Sequence, residues 1–162
     1  MRYADITTCD IANGEGIGVV LWCQGCSLDC LGCQNQCTHA AAEGREFTKK
    51  EEDLIITELN RKHISRLTLS GGHPLEPYNI DACLELCKRV AKEAPFTKIW
   101  CYTGWVWESV KDTEIMEYID VLVDGPYVGS LRDITLPWRG SSNQRVIDVK
   151  ASIKNNNVTL YT

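Results

Sequence analysis

Short apolar runs alternate along the chain with stretches of helical periodicity. Gly18-Val19-Val20-Leu21-Trp22 is apolar and partly β-branched, and Asn13-Gly14-Glu15-Gly16 bounds it upstream, which predicts a strand. Arg66-Leu67-Thr68-Leu69-Ser70 alternates with period two and stops at Gly71-Gly72. Lys98-Ile99-Trp100-Cys101-Tyr102 ends at Thr103-Gly104, and Asp120-Val121-Leu122-Val123 runs into a turn at Asp124-Gly125-Pro126. Arg145-Val146-Ile147-Asp148-Val149 reads as a last strand. Between these runs the period changes. Thr48-Lys49-Lys50-Glu51 is a capping-box signature, followed by Leu54, Ile55 and Leu59 on one helical face. Pro77 and Asn79 introduce a second helix carrying Ile80, Cys83, Leu84, Cys87, Val90 and Ala91 at helical spacing, and a third is predicted around Ser109–Tyr118.

Strands alternating with helices imply βαβ units, hence an α/β fold with mostly parallel strands. A length of 162 residues, with no repeat or linker, predicts a single domain spanning 1–162. In such sheets ligands sit beyond the carboxyl ends of the strands. The segment at about 23–37, Ser70-Gly71-Gly72, Thr103-Gly104 and Asp124-Gly125 all follow strands and are expected to share one rim.

Charge and composition narrow the function. A net charge of −5 argues against a general nucleic-acid binder. No apolar run approaches the roughly 20 residues that span a bilayer, and Met1-Arg2-Tyr3-Ala4-Asp5 lacks the apolar core of a signal peptide. A cytoplasmic location without a membrane partner is the expectation. Nine Cys is the outlying count; being odd, it excludes complete disulfide pairing, and in a reducing compartment clustered Cys point to metal or redox chemistry.

Five of the nine fall within fifteen residues: Cys23, Cys26, Cys30, Cys33 and Cys37. Structural zinc sites usually join two Cys pairs through a connection on the order of 12–20 residues. Here Cys23-x2-Cys26 and Cys30-x2-Cys33 are separated by three residues, a poor zinc arrangement. A ferredoxin-type cluster would draw a fourth ligand from Cys37, Cys101 or Cys9. Alternatively, Cys26-x3-Cys30-x2-Cys33 binds three irons of a four-iron cluster and leaves the fourth open to a substrate. Spacing by itself leaves these alternatives open.

The Cys26-x3-Cys30-x2-Cys33 spacing resembles that of the radical S-adenosylmethionine (SAM) superfamily. Further segments narrow the resemblance. Asn13-Gly14-x-Gly16, Gly25-Cys26, Leu31-Gly32-Cys33-Gln34-Asn35, Leu69-Ser70-Gly71-Gly72-His73-Pro74-Leu75, Tyr102-Thr103-Gly104-Trp105, Val121-Leu122-Val123-Asp124-Gly125 and Trp138-Arg139-Gly140-Ser141-Ser142-Asn143-Gln144-Arg145 are similar to the activating proteins of anaerobic ribonucleoside-triphosphate reductases. The similarity runs from about Ala4 to Val149. It implies an incomplete (β/α) barrel of radical SAM type. It also implies a [4Fe-4S] cluster on Cys26, Cys30 and Cys33, with SAM chelating the fourth iron and contacted by Gly32, Cys33, Gln34, Gly71, Gly72 and His73. The implied activity is reductive cleavage of SAM to methionine and a 5′-deoxyadenosyl radical. That radical takes a hydrogen from a glycine near the C-terminus of the large reductase subunit, with an external one-electron reductant as the second partner.

Three positions depart from the superfamily or family pattern. Gly32 replaces the aromatic residue common in the superfamily, in agreement with the narrower family. Gln34 stands where that family usually has Tyr, and His73 replaces the acidic residue that normally follows Gly-Gly. The remaining residues have ordinary readings. Cys23 and Cys37 are bystander thiols near the cluster, while Cys83, Cys87 and Cys101 are small core residues. Cys9 is unassigned, and His39 and His63 are surface or loop residues. Arg132, Arg139 and Arg145 either bind an anion or the partner's tail or form a solvated segment. Trp105 and Trp107 lie where a partner surface would be.

Overall fold

The computed structural model describes residues 1–162. Seven strands form one open sheet: β1 (Arg2–Asp10), β2 (Gly18–Cys23), β3 (Arg45–Glu46), β4 (Arg66–Gly71), β5 (Lys98–Tyr102), β6 (Val121–Asp124) and β7 (Arg145–Asp148), in the order β3-β1-β2-β4-β5-β6-β7. The strands β2, β4, β5 and β6 pair in parallel, with Leu21 opposite Leu69, Leu67 opposite Ile99 and Cys101 opposite Leu122. Both edges are antiparallel, β1 with β2 and β3 on one side and β7 with β6 on the other. The expectation of mostly parallel strands therefore describes the centre of a mixed sheet. The sheet does not close on itself.

Helices α1 (Lys49–Leu59) and α2 (Ile80–Glu93) follow β3 and β4. Thr48 caps α1: its hydroxyl accepts from the Lys50 N–H, and Glu51 reaches back to the Thr48 N–H at 2.9 Å. Strand alternation sorts the side chains between two faces. Val19, Leu21, Cys23, Leu67, Leu69, Ile99, Cys101 and Leu122 join Ile55, Leu59, Leu86 and Val90 of the helices in the main core. On the opposite face Trp100, Val121, Val123 and Val146 pack with Tyr102, Trp138 and Tyr161. Both faces of the parallel strands are covered, which is why those strands read as near-continuous apolar runs.

Three expectations change. The helix expected around Ser109–Tyr118 is broken into a short α3 (Trp107–Val110) and a 3-10 turn at Glu114–Glu117. Thr113 causes the break: its backbone is extended, and its N–H and hydroxyl both bond the Val110 carbonyl, at 3.0 and 2.6 Å. The last strand stops at Asp148, whose carboxylate caps a further helix, α4 (Val149–Asn155), by accepting from the Ala151 N–H at 2.8 Å. Strand β1 was not expected at all; it is a largely polar edge strand with two register shifts. No helix is long and apolar enough to cross a membrane.

Candidate metal centre

The loop after β2 turns back on itself at the carboxyl end of the sheet. The Gly25 and Cys26 N–H groups donate to the carbonyls of Thr38 and His39, at 2.7 and 3.0 Å, and so tie its two ends together. Asn79, fully buried at the start of α2, does not cap that helix with its side chain. Instead its Nδ2 donates to the carbonyls of Gln24 and His73, both at 3.0 Å, and pins the loop to the Gly-Gly turn. Ser27 reaches the same segment through Glu76: its N–H and hydroxyl donate to Oε1 at 2.8 and 2.6 Å.

Cys26, Cys30 and Cys33 line one cleft with about 780 Å3 of atom-free space, together with Asn13, Leu28, Gln34, Asn35, Ser70, Gly71, Gly72, Thr103, Gly104 and Tyr127. The expected rim is thus real: segments following β2, β4, β5 and β6 meet there. The lining holds three Cys and no His, Asp or Glu. No three His, Cys, Asp or Glu side chains in the structure converge as a site for one metal ion. Three soft thiols set around a cleft suit a polynuclear iron–sulfur cluster. Backbone donors already face two of these sulfurs. The Asn35 N–H donates to Cys33 Sγ at 3.4 Å. Burial pushes the Cys26 thiol up from its ordinary value, against backbone hydrogen bonds from Leu28 and Asp29.

The other cysteines lie elsewhere. Cys23 points to the helix face, its sulfur 3.8 Å from that of Cys83, and Cys83, Cys87 and Cys101 are all fully buried there. Burial drives the Cys87 and Cys101 thiols well up, and the hydrogen bond with Cys83 together with burial does so for Cys23. Cys9 and Cys37 are exposed and do not line the cleft. His39 is part-buried in the loop, and His63 is exposed.

Gly71 has φ +95°, and a Cβ there would lie 2.6 Å from the Cys23 carbonyl oxygen; at Gly72 it would lie 2.4 Å from that of Gly25. The turn therefore requires glycine at both places because two backbones cross within contact distance. Gly32 stands beside the cleft near Tyr127, and Gln34 lines it. His73 does not line it. Its ring is buried behind the Gly-Gly turn, with Nε2 2.7 Å from Thr103 Oγ1 and Nδ1 3.3 Å from Glu76 Oε1.

Asn13 lines the cleft and had no role assigned from the sequence. The buried Arg66 holds it: Nη1 donates to the Asn13 carbonyl at 2.7 Å, while Nη2 pairs with Asp10 at 2.9 Å. Asp10 in turn accepts from the Asn13 N–H and Nδ2. The Asn-Gly-x-Gly spacing was the available signal, but only the fold brings Arg66 to it. Of the other arginines, Arg145 is committed to Asp124 and Glu108, and Arg139 donates to the Gln144 carbonyl at 3.0 Å. Arg132 is exposed. Trp107 belongs to the core, and Trp105 is part-buried against His73.

The α/β fold and the thiol-lined cleft agree with a protein built around one iron–sulfur cluster, and the family model for a 4Fe-4S single cluster domain matches residues 12–147. The anaerobic ribonucleoside-triphosphate reductase-activating protein of Salmonella typhimurium is 42% identical over 150 residues, covering 90% of this chain and 97% of that protein. Its namesake from Escherichia coli K12 is 41% identical with the same coverage, and that of Enterobacteria phage T4 is 40% identical over 146 residues, covering 90% and 93%. The chain belongs to the family of anaerobic ribonucleoside-triphosphate reductase-activating proteins, and it carries a 4Fe-4S single cluster domain.

Proposed function

We propose that this chain is a radical SAM enzyme that activates an anaerobic ribonucleoside-triphosphate reductase by generating a glycyl radical on its large subunit. Cys26, Cys30 and Cys33 would hold a [4Fe-4S] cluster through three of its irons. When bound and reduced by an external donor, the cluster and SAM supply a 5′-deoxyadenosyl radical able to take a hydrogen atom from glycine. The observation that carries the reading is the meeting of these three thiols with the Gly71–Gly72 turn in one cleft that contains no further Cys or His.

The protein's own contribution is to bind, orient and shelter. Gly71 and Gly72 let the turn cross close against the Cys23 and Gly25 backbone, and so hold main-chain polar groups at the cleft where a ligand's amino or carboxylate group can approach. Asn13, Gln34, Asn35, Thr103 and Gln144 place neutral polar groups around it. The absence of lining carboxylates suits a cofactor that carries a carboxylate of its own. A second cleft, bordered by the exposed Ile134, adjoins the first through Asn13, Gln34, Tyr102 and Gly140 and leaves room for a peptide segment.

Anaerobic reconstitution with iron and sulfide, followed by reduction in the presence of SAM, tests the reading. Methionine and 5′-deoxyadenosine are expected, and adding the cognate reductase is expected to give a glycyl-radical doublet in electron paramagnetic resonance. A cluster that never cleaves SAM overturns the enzyme reading. Cleavage without a radical on the reductase overturns the assignment of substrate.

A further inference from the structure

His73 occupies the position where the family pattern has an acidic residue, yet it is among the most enclosed polar side chains in the molecule, at 1% exposure. Its ring lies in a chain of hydrogen bonds that runs from the thiol loop to the end of β5. Ser27, next to the first ligand Cys26, donates twice to Glu76 Oε1. Glu76 Oε1 lies 3.3 Å from His73 Nδ1, and His73 Nε2 lies 2.7 Å from Thr103 Oγ1. The Trp105 N–H donates to Thr103 Oγ1 at 3.1 Å, and the Trp105 ring stands edge-on to His73 with centroids 4.3 Å apart. The His73 N–H also donates to the Gly25 carbonyl at 2.8 Å.

Only one arrangement of protons satisfies every member of this chain. Burial raises the Glu76 carboxyl, but the hydrogen bonds from Ser27 and His73 outweigh it and hold the group below its usual value. As a carboxylate Glu76 only accepts, so Nδ1 carries the imidazole proton. Nε2 is then an acceptor and takes the Thr103 O–H, whose oxygen accepts from Trp105. Burial lowers His73 from its ordinary value, against the pull of Glu76, which agrees with a neutral ring. A carboxylate at position 73 would face a second carboxylate and would leave this direction of donors broken.

We propose that His73 is a positioning residue that locks the first turn of the thiol loop, through Glu76 and Ser27, to the Thr103–Trp105 end of β5. The consequence for SAM rests on the proposed function; the mechanical link does not. His73 is the middle of a three-part strut, donating to Glu76 and accepting from Thr103, so a second carboxylate at position 73 destroys it.

Hydrogen exchange of the full chain, before and after anaerobic reconstitution, reads the link directly. His73→Asp is expected to raise exchange roughly tenfold or more in both 24–30 and 102–106, the size of effect that follows loss of a charged, buried hydrogen bond. In the reconstituted protein the same change is expected to raise KM for SAM more than it lowers kcat. Adding Glu76→His to His73→Asp restores an imidazole–carboxylate pair in reverse order; the imidazole at 76 keeps one acceptor nitrogen for the two Ser27 donors, so a partial recovery of both losses is expected. Thr103→Val keeps volume and is the safeguard should His73→Asp fail to fold: exchange at Ser27 is expected to rise although the substitution lies in a different loop, after β5. Unchanged exchange at Ser27 in both His73→Asp and Thr103→Val overturns the proposal, as does failure of the exchanged pair to recover. If the wild type never cleaves SAM, the proposed function falls, while the exchange measurements still decide the link.

Discussion

Cys23 and Cys26 are three residues apart and serve different parts of the molecule. Cys23 is the last residue of β2 and takes its place in the strand's alternation, so its side chain joins Val19 and Leu21 in the core. Cys26 lies beyond the strand, where the loop has escaped that alternation and can turn a sulfur to the cleft. Replacing Cys26, Cys30 or Cys33 by Ala is therefore expected to abolish cluster binding, read as iron and sulfide content after reconstitution. Cys37→Ala is expected to retain it. Cys23→Ala is expected to retain the cluster and to lose about 1–2 kcal/mol of stability to denaturant, because a filled core position is emptied. Spacing left several ligand sets open, and the family resemblance singled out Cys26, Cys30 and Cys33; the convergence of these three on one cleft was legible as strand ends sharing a rim. Glu76 was not, because nothing in a Gly-Gly-His-Pro-Leu-Glu run indicates that its carboxylate turns back to Ser27, 49 residues earlier in the chain.

Among the elements, those buried on both faces were the readable ones. β4 and β5 carry unbroken or alternating apolar residues because helices cover one side and Trp100, Tyr102 and Trp138 the other. β1 lies near the open edge and is covered less, so Asp5, Thr7, Cys9 and Asp10 dilute the signal. Pairing with β2, rather than its own pattern, makes it a strand. Local chemistry was decisive at α1, where Thr48 and Glu51 announce the helix start and the structure has both halves of the box. Thr48→Ala is expected to cost about 1 kcal/mol in thermal or chemical unfolding. Because α1 ends far from the thiol loop in sequence and holds no cleft residue, cluster content in that variant should match the wild type. Equal loss of cluster and stability would show that α1 supports the site more directly than its position suggests.

For the molecule as a whole, the parallel centre sets one chemical edge and two sheltered faces. Loops that follow β2, β4, β5 and β6 contribute to a single cleft, while the antiparallel edge strands widen the sheet without adding a ligand thiol. The strand alternation that hides Cys23 and Cys101, together with the buried face of α2 that hides Cys83 and Cys87, has a practical consequence for anyone handling the reduced, metal-free chain. Five thiols, at Cys9, Cys26, Cys30, Cys33 and Cys37, lie at least partly open, and four are sealed. A brief alkylation pulse under native conditions should add at most five adducts by mass, with the remaining four appearing together as denaturant unfolds the core. Early alkylation of any sealed cysteine would contradict the packing described for the helix face. The nine cysteines thus also furnish a built-in gauge of the chain's folding, requiring no substitution.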